Sequence, residues 1–121
     1  MTQSLEDYIE AIYVLAQSKS GAYVHDVAGR LKVKMPSVVK AIRELKDLGL
    51  VTQEPYEAIV LTRKGTKVAK MILERHLLLC AFLRKLGVSE EIADQDACRM
   101  EHVLSAETID QIRLFTEGKP K

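Results

Sequence analysis

Along the first part of the chain the apolar residues recur at helical spacing. Leu5, Tyr8, Ile9, Ile12, Tyr13 and Ala16 form one stripe over residues 4–17. Ser4 is the predicted N-cap, and Glu6, Asp7 and Glu10 lie off the stripe, where acids favour a helix N-terminus. Ser, Lys and Gly then break the pattern at residues 18–21. The spacing next predicts a short helix over residues 25–31, a tight turn at Lys32-Val33-Lys34 and a second helix from Pro36 to Gly49. Proline suits a first helical turn and glycine a helix stop. Two short helices joined by a tight turn are the helix-turn-helix pattern, whose second helix enters a DNA major groove.

Residues 50–54 and 58–62 are two β-prone runs separated by Pro55-Tyr56-Glu57, which predicts a small hairpin, the wing of a winged helix-turn-helix. Thr62 can cap a long helix over residues 64–86. Val68, Ile72, Leu79, Leu83 and Leu86 make its main stripe, and Leu73, Leu77, Leu78, Cys80, Ala81 and Phe82 widen it, so burial on most sides is expected. Gly87 ends that helix, Ser89 caps the next over residues 90–104, and Ser105 caps a last one over residues 106–115. The predicted fold is mainly α, with a winged-helix unit in residues 1–63 and a helical region in residues 64–121. The apolar face of the last helices lacks cover in so short a chain, which predicts a homodimer.

Composition narrows the class. The 121 residues, 47% hydrophobic with few Gly and Pro, suit a compact helical chain. The longest apolar run, residues 77–83, is too short to span a bilayer, and residues 1–12 lack a signal-peptide pattern, so no membrane association and a cytoplasmic location are expected. Two cysteines in such a chain are read as thiols. The net charge of +1 conceals an asymmetry: residues 30–70 hold ten Lys or Arg against four Asp or Glu, while residues 87–118 hold two against eight. The middle suits a polyanion and the end suits cations.

Candidate chemistry follows those two charges. On the recognition helix Ser37 and Lys40 are the base-edge candidates. Lys34 stands just before that helix, and Arg43, Arg63 and Lys64 are placed as phosphate contacts on double-stranded DNA. Near the other end, Cys98, Glu101 and His102 fall with Asp94 within an arc of about 100° on one helix. The face opposite carries Ala93, Ala97, Met100, Val103 and Leu104. His76 and Cys80, four apart, have helical ligand spacing, and Asp7 and Glu10, three apart, can converge on a cation.

With these residues in place the chain resembles the diphtheria toxin repressor family of metal-dependent regulators, nearest its manganese transport regulator branch. The resemblance rests on Leu5-Glu6-Asp7-Tyr8-Ile9-Glu10-Ala11-Ile12-Tyr13, on Val60-Leu61-Thr62-Arg63-Lys64-Gly65, on Glu74-Arg75-His76, and on the run from Ala97 to Ser105 containing Cys98-Arg99-Met100-Glu101-His102. It implies a winged-helix DNA-binding domain followed by a helical metal-binding and dimerisation region. By position it makes Asp7, Glu10, His76, Cys98, Glu101 and His102 metal ligands for Mn2+, with Fe2+ the close alternative, as one or two ions per subunit. Cys98 stands where the manganese branch usually has Glu. Cys80 and Asp94 stand where iron-type members carry a Glu and a His ligand. The chain stops before the SH3-like domain of the larger members. The function implied is a metal-activated, DNA-binding transcriptional repressor of metal homeostasis, not an enzyme. Two competing readings are a metal-independent winged-helix transcription factor and a small metal-dependent hydrolase, the latter without a nucleophile or phosphate-loop motif to accompany the ligands.

Overall fold

The computed structural model describes residues 1–18 and 20–118. The described elements are helices α1 (Gln3–Ala16), α2 (Val24–Leu31) and α3 (Met35–Asp47), strands β1 (Val51–Thr52) and β2 (Val60–Leu61), and helices α4 (Arg63–Lys85), α5 (Glu90–Met100) and α6 (Ala106–Thr116). They group into two compact units, Met1–Lys70 and Met71–Lys121, with the division inside α4.

The first unit is built on apolar burial. Ile9, Ile12, Val27, Val38, Leu45, Leu50 and Ile59 are each shielded almost completely, so the stripes of α1, α2 and α3 and the inner side of the wing share one core. Thr2, and not Ser4, caps α1: its hydroxyl accepts the Leu5 N–H at 3.2 Å. Both residue types cap well, and periodicity alone does not locate the helix start to within two residues. Helix α2 opens where the Asp26 carboxylate accepts the Tyr23 N–H at 3.3 Å. It closes at Lys32, whose left-handed φ of 56° turns the chain toward α3.

The wing is shorter than the β-prone runs. Val51 pairs with Leu61 and Thr52 with Val60, antiparallel, and Ala22 bridges Ile59 from the segment before α2. Thr62 knits wing to helix, because its hydroxyl donates to Gly49 O at 2.7 Å and accepts from the Gly65 N–H at 3.0 Å. A Cβ on Gly65 would lie 2.0 Å from Leu50 O, so only glycine lets the first turn of α4 approach the strand this closely.

The second unit has a smaller apolar centre. Leu79, Ala97 and Ile109 are buried together, with Leu78, Met100, Leu104 and Ile112 packed against them. Ser89 and Ser105 cap α5 and α6 as the sequence predicts, accepting the Ile92 N–H at 3.4 Å and the Thr108 N–H at 3.2 Å. At the far end of α6, Lys85 Nζ donates to Phe115 O at 3.2 Å and Thr116 O at 3.3 Å, adding a side-chain donor to the carbonyl end of the helix.

Two expectations change in this unit. Helix α5 ends at Met100 instead of running to residue 104, because the N–H groups of His102 and Val103 turn back only three residues, to Arg99 O and Met100 O. Val103, assigned to the core-facing stripe, is 70% exposed as a result. Helix α4 is also less enclosed than its composition suggests, for Met71 and Leu77 face outward, as does Leu86 just past its end.

Candidate metal centre and nucleic-acid face

The metal-capable side chains of the second unit converge on His76. This imidazole projects from α4 and is mostly buried, at 15% side-chain exposure. Its Nδ1 lies 2.9 Å from Glu101 Oε2 and its Nε2 lies 2.9 Å from Asp94 Oδ1. Glu101 is the C-cap of α5 and is buried to 1% exposure, and its other oxygen stands 3.3 Å from His102 Nε2. The His102 side chain is fully enclosed as well. Because α5 stops at Met100, the turn that follows carries Glu101 and His102 inward, while Cys98 one turn earlier remains exposed.

Ligand atoms of His76, Cys98 and Glu101 all lie within 4.8 Å of one another, and so do those of His76, Cys80 and Asp94. Of the arc predicted for Cys98, Glu101 and His102, Cys98 and Glu101 gather with His76, and Glu101 and His102 face the interior and not solvent. A carboxylate placed between two imidazoles in a dry site is an expensive arrangement for folding alone. A divalent cation accepts lone pairs from carboxylate, imidazole and thiolate together, so the donor set fits a metal ion. Cys80, one turn beyond His76, has its thiol pushed above the ordinary value by burial, then by the Asp94 and Glu101 carboxylates.

Asp7 and Glu10 stand on α1 in the first unit, both half-buried. Glu10 Oε2 is shut off from solvent without a hydrogen-bond partner among the described residues. An unpaired buried carboxylate oxygen costs free energy unless a cation or proton meets it.

The DNA-facing candidates lie where the helix-turn-helix reading puts them, with one refinement. Lys34 is the N-cap of α3, and Ser37, Lys40 and Arg43 are exposed along it. Val38, Ala41, Ile42 and Leu45 form the buried side of that helix, so Lys40 and Arg43 stand opposite the core. Ser37 sits on the flank instead, lining with Lys40 and Glu44 an open hollow of about 320 Å³ walled by Thr2, Leu5 and Tyr8. Arg63 is exposed at the start of α4, and Lys64 Nζ reaches Leu48 O at 3.3 Å. Sequence reading passed over two outward apolar side chains: Val39 on α3, 45% exposed, and Tyr56 at the wing tip, fully exposed at a left-handed φ of 64°. Charge patterning does not flag them, although an exposed Val on a recognition helix was visible from the helical period.

Comparison with known proteins decides the class. Residues 1–59 match the N-terminal DNA binding domain of iron dependent repressors, and residues 62–120 match the metal binding and dimerisation domain of the same family. The chain belongs to the iron-dependent repressor family. It is 42% identical over 113 residues to the transcriptional regulator MntR of Escherichia coli O6:H1, covering 93% of this chain and 73% of that one. The HTH-type transcriptional regulator MntR of Bacillus subtilis is 44% identical over 111 residues, 92% of this chain and 78% of the relative. An uncharacterized HTH-type transcriptional regulator of Methanocaldococcus jannaschii matches at 38% over 97% of this chain and 95% of its own length. Among solved structures, a manganese-dependent transcriptional repressor in complex with manganese superposes with a TM-score of 0.85 at 29% identity, over 96% of this chain and 53% of that chain.

Family membership makes this protein a metal-dependent DNA-binding transcriptional regulator and removes the hydrolase and metal-independent readings. The fold is the mainly helical winged-helix arrangement expected, with a dimerisation region after it. No described helix is long and apolar enough to cross a membrane.

Proposed function

We propose that this protein is a cytoplasmic, manganese-responsive repressor that binds operator DNA as a homodimer, with Asp7, Glu10, His76, Cys98, Glu101 and His102 holding one or two ions per subunit. The observation that carries the reading is Glu101, a buried carboxylate between His76 and His102 with the Cys98 thiol beside the same imidazole. The solvent-shielded oxygen of Glu10 supports the inclusion of α1. When bound, a divalent cation supplies the positive charge that a cluster of carboxylates otherwise lacks. His76 and His102 would offer ring nitrogens with Glu101 held between them, and Asp7 and Glu10 would contribute carboxylates from the first helix.

A ligand set drawn from α1, α4 and the turn after α5 restricts how the DNA-binding unit is held, so fewer arrangements are lost when two recognition helices meet two half-sites. Linkage requires that DNA tighten metal binding by the same factor, about 5- to 150-fold for couplings of roughly 1 to 3 kcal/mol. On DNA, Lys40 and Ser37 read base edges, Lys34 reaches base or phosphate, and Arg43, Arg63 and Lys64 hold phosphates.

The choice of Mn2+ rests on the two carboxylates of α1 and on the MntR relatives. One observation favours Fe2+ as the runner-up: a thiol, and not a carboxylate, occupies position 98. The test is to select binding duplexes from random-sequence DNA in the presence of Mn2+, then titrate a labelled winner with and without the ion. An affinity rise of about fivefold or more on adding Mn2+ is expected; equal affinities overturn the proposal.

A further inference from the structure

We infer that Val39, on the outward flank of α3, is a specificity-determining residue that packs against the C5 methyl of a thymine in operator DNA. This deepens the base-reading role proposed above for α3 and rests on it. Val39 is 45% exposed, although its neighbour Val38 and Ile42 on the next turn are buried. At about 100° per residue, Arg43 stands about 40° from Val39 one turn further along α3, and Lys46 stands about 20° from it two turns along. Both are exposed. Met35, one turn before Val39 and about 40° round from it, is exposed as well. This flank is thus an apolar patch that runs into two cations.

Val39, Arg43 and Lys46 share a hollow of about 160 Å³ with Val24, Ile42 and Gln53. Its inner wall is apolar, since Ile42 is buried and Val24 half-buried, and its rim carries the two positive charges. Isolated apolar side chains on a surface are ordinary and by themselves carry no function. Val39 differs because neither core packing nor helix propensity accounts for it: the side chain is outside the core, and valine forms helix less readily than lysine or alanine. The cations beside it turn this same flank toward a polyanion.

The chemistry of DNA then selects the partner. Base-pair edges in the major groove present donors and acceptors, and thymine alone adds a methyl group. An apolar side chain pressed against a polar edge strips water from groups it cannot pair, whereas against the thymine methyl it buries apolar surface on both sides. Valine suits that contact because one χ1 rotamer dominates in a helix, so its methyl groups are held in place before DNA arrives. Val39 thereby favours thymine at one position of each half-site, while Lys40, about 100° round the helix, is left to hydrogen-bonding edges. Arg43 and Lys46 draw the neighbouring phosphates onto the same flank.

The test uses the whole chain with saturating Mn2+ and a duplex selected from random-sequence DNA. Each thymine in turn is replaced by uracil in both half-sites, which removes the C5 methyl and keeps the base pairing. At one position the native protein should lose about fourfold in affinity for each half-site, the value of one buried methyl group. V39A leaves the apolar core untouched, because Val39 lies outside it. It should bind the thymine duplex more weakly than the native protein and be indifferent to uracil at that position, so the protein and base changes are coupled. A uracil penalty equally large in V39A, or no penalty at any thymine, overturns the role of Val39. Base reading by the rest of α3 is measured apart from this: K40A should alter the sequences selected. Unchanged selection by K40A overturns the assignment of Lys40, while the uracil comparison still judges Val39 by itself.

Discussion

The two units of this chain are stabilised in different ways. In the DNA-binding unit the described core side chains are apolar, drawn from three helices and the wing, and Glu10 Oε2 on α1 is the polar atom shielded beside them. In the other unit Leu79, Ala97 and Ile109 form an apolar cluster, while a carboxylate and two imidazoles also occupy shielded positions. Large apolar side chains there, Leu77, Leu86, Val103 and Phe115 among them, remain exposed. The first arrangement is held together mainly by apolar burial. The second keeps ligand-type side chains inside and large apolar ones outside, which suits a region whose family model is named for metal binding and dimerisation. A sensor requires that its stability change on loading, and an apolar core offers no means for that.

The sharpest way to break this contrast is to damage each interior in turn. Leu45→Ala, at a position with no exposure on α3, should destabilise the DNA-binding unit by about 2–5 kcal/mol, with or without Mn2+. Denaturant unfolding followed by hydrogen exchange in α1 to α3 measures it, and a loss that Mn2+ repairs would contradict a unit held together mainly by apolar burial. Glu101→Ala comes next. Removing the shared carboxylate leaves two enclosed imidazoles with an acceptor lost, a cost of about 1–3 kcal/mol in the metal-free protein. The larger signature is the absence of metal stabilisation: at a hundredfold excess of Mn2+ over its dissociation constant the native protein gains about 2.7 kcal/mol. The variant should gain almost none of this, read as the shift in thermal midpoint on adding Mn2+; an equal shift would remove Glu101 from the ligand set.

The same contrast explains what the sequence reveals and what it conceals. The caps at Ser89 and Ser105, the Thr62 junction and the wing are legible because each is decided by a few neighbouring residues. The helix-turn-helix is legible because its stripes all serve one core. The interior of the metal-binding unit is harder to read, since a helical wheel sorts Cys98, Glu101 and His102 by polarity and assigns them to solvent together. Burial of Glu101 and His102 depends on the helix stopping at Met100, which no Gly or Pro signals. The grouping of His76 with Asp94 links α4 to α5 across 18 positions, and neither helix predicts it alone. Outward Leu77 and Leu86 mislead in the opposite direction, for a single chain leaves open a surface that hydrophobicity assigns to a core.

Smaller perturbations sharpen the comparison without breaking it. Ser105→Ala removes the oxygen that accepts the Thr108 N–H and should cost about 1 kcal/mol. The loss should be confined to the metal-binding unit, so hydrogen exchange ought to accelerate in α6 and not in α1 to α3. Uniform acceleration would mean that the two units unfold as one.

The smallest expected effect concerns alkali in the metal-free protein. Burial, with Asp94 and Glu101 beside it, raises the Cys80 thiol above its ordinary value, so the folded chain holds that proton to higher pH than the unfolded chain does. Where the native state binds more protons, stability falls as pH rises. The contribution is therefore intact below the ordinary thiol value, about 8.5, and is lost progressively as pH climbs from there toward the raised one. Cys80→Ser should flatten the alkaline limb of a stability profile measured with a chelator present. The DNA-binding unit, which contains no cysteine, offers the internal control. A limb equally steep in the variant would assign the alkaline loss to other groups and leave the polar interior without this particular sensitivity.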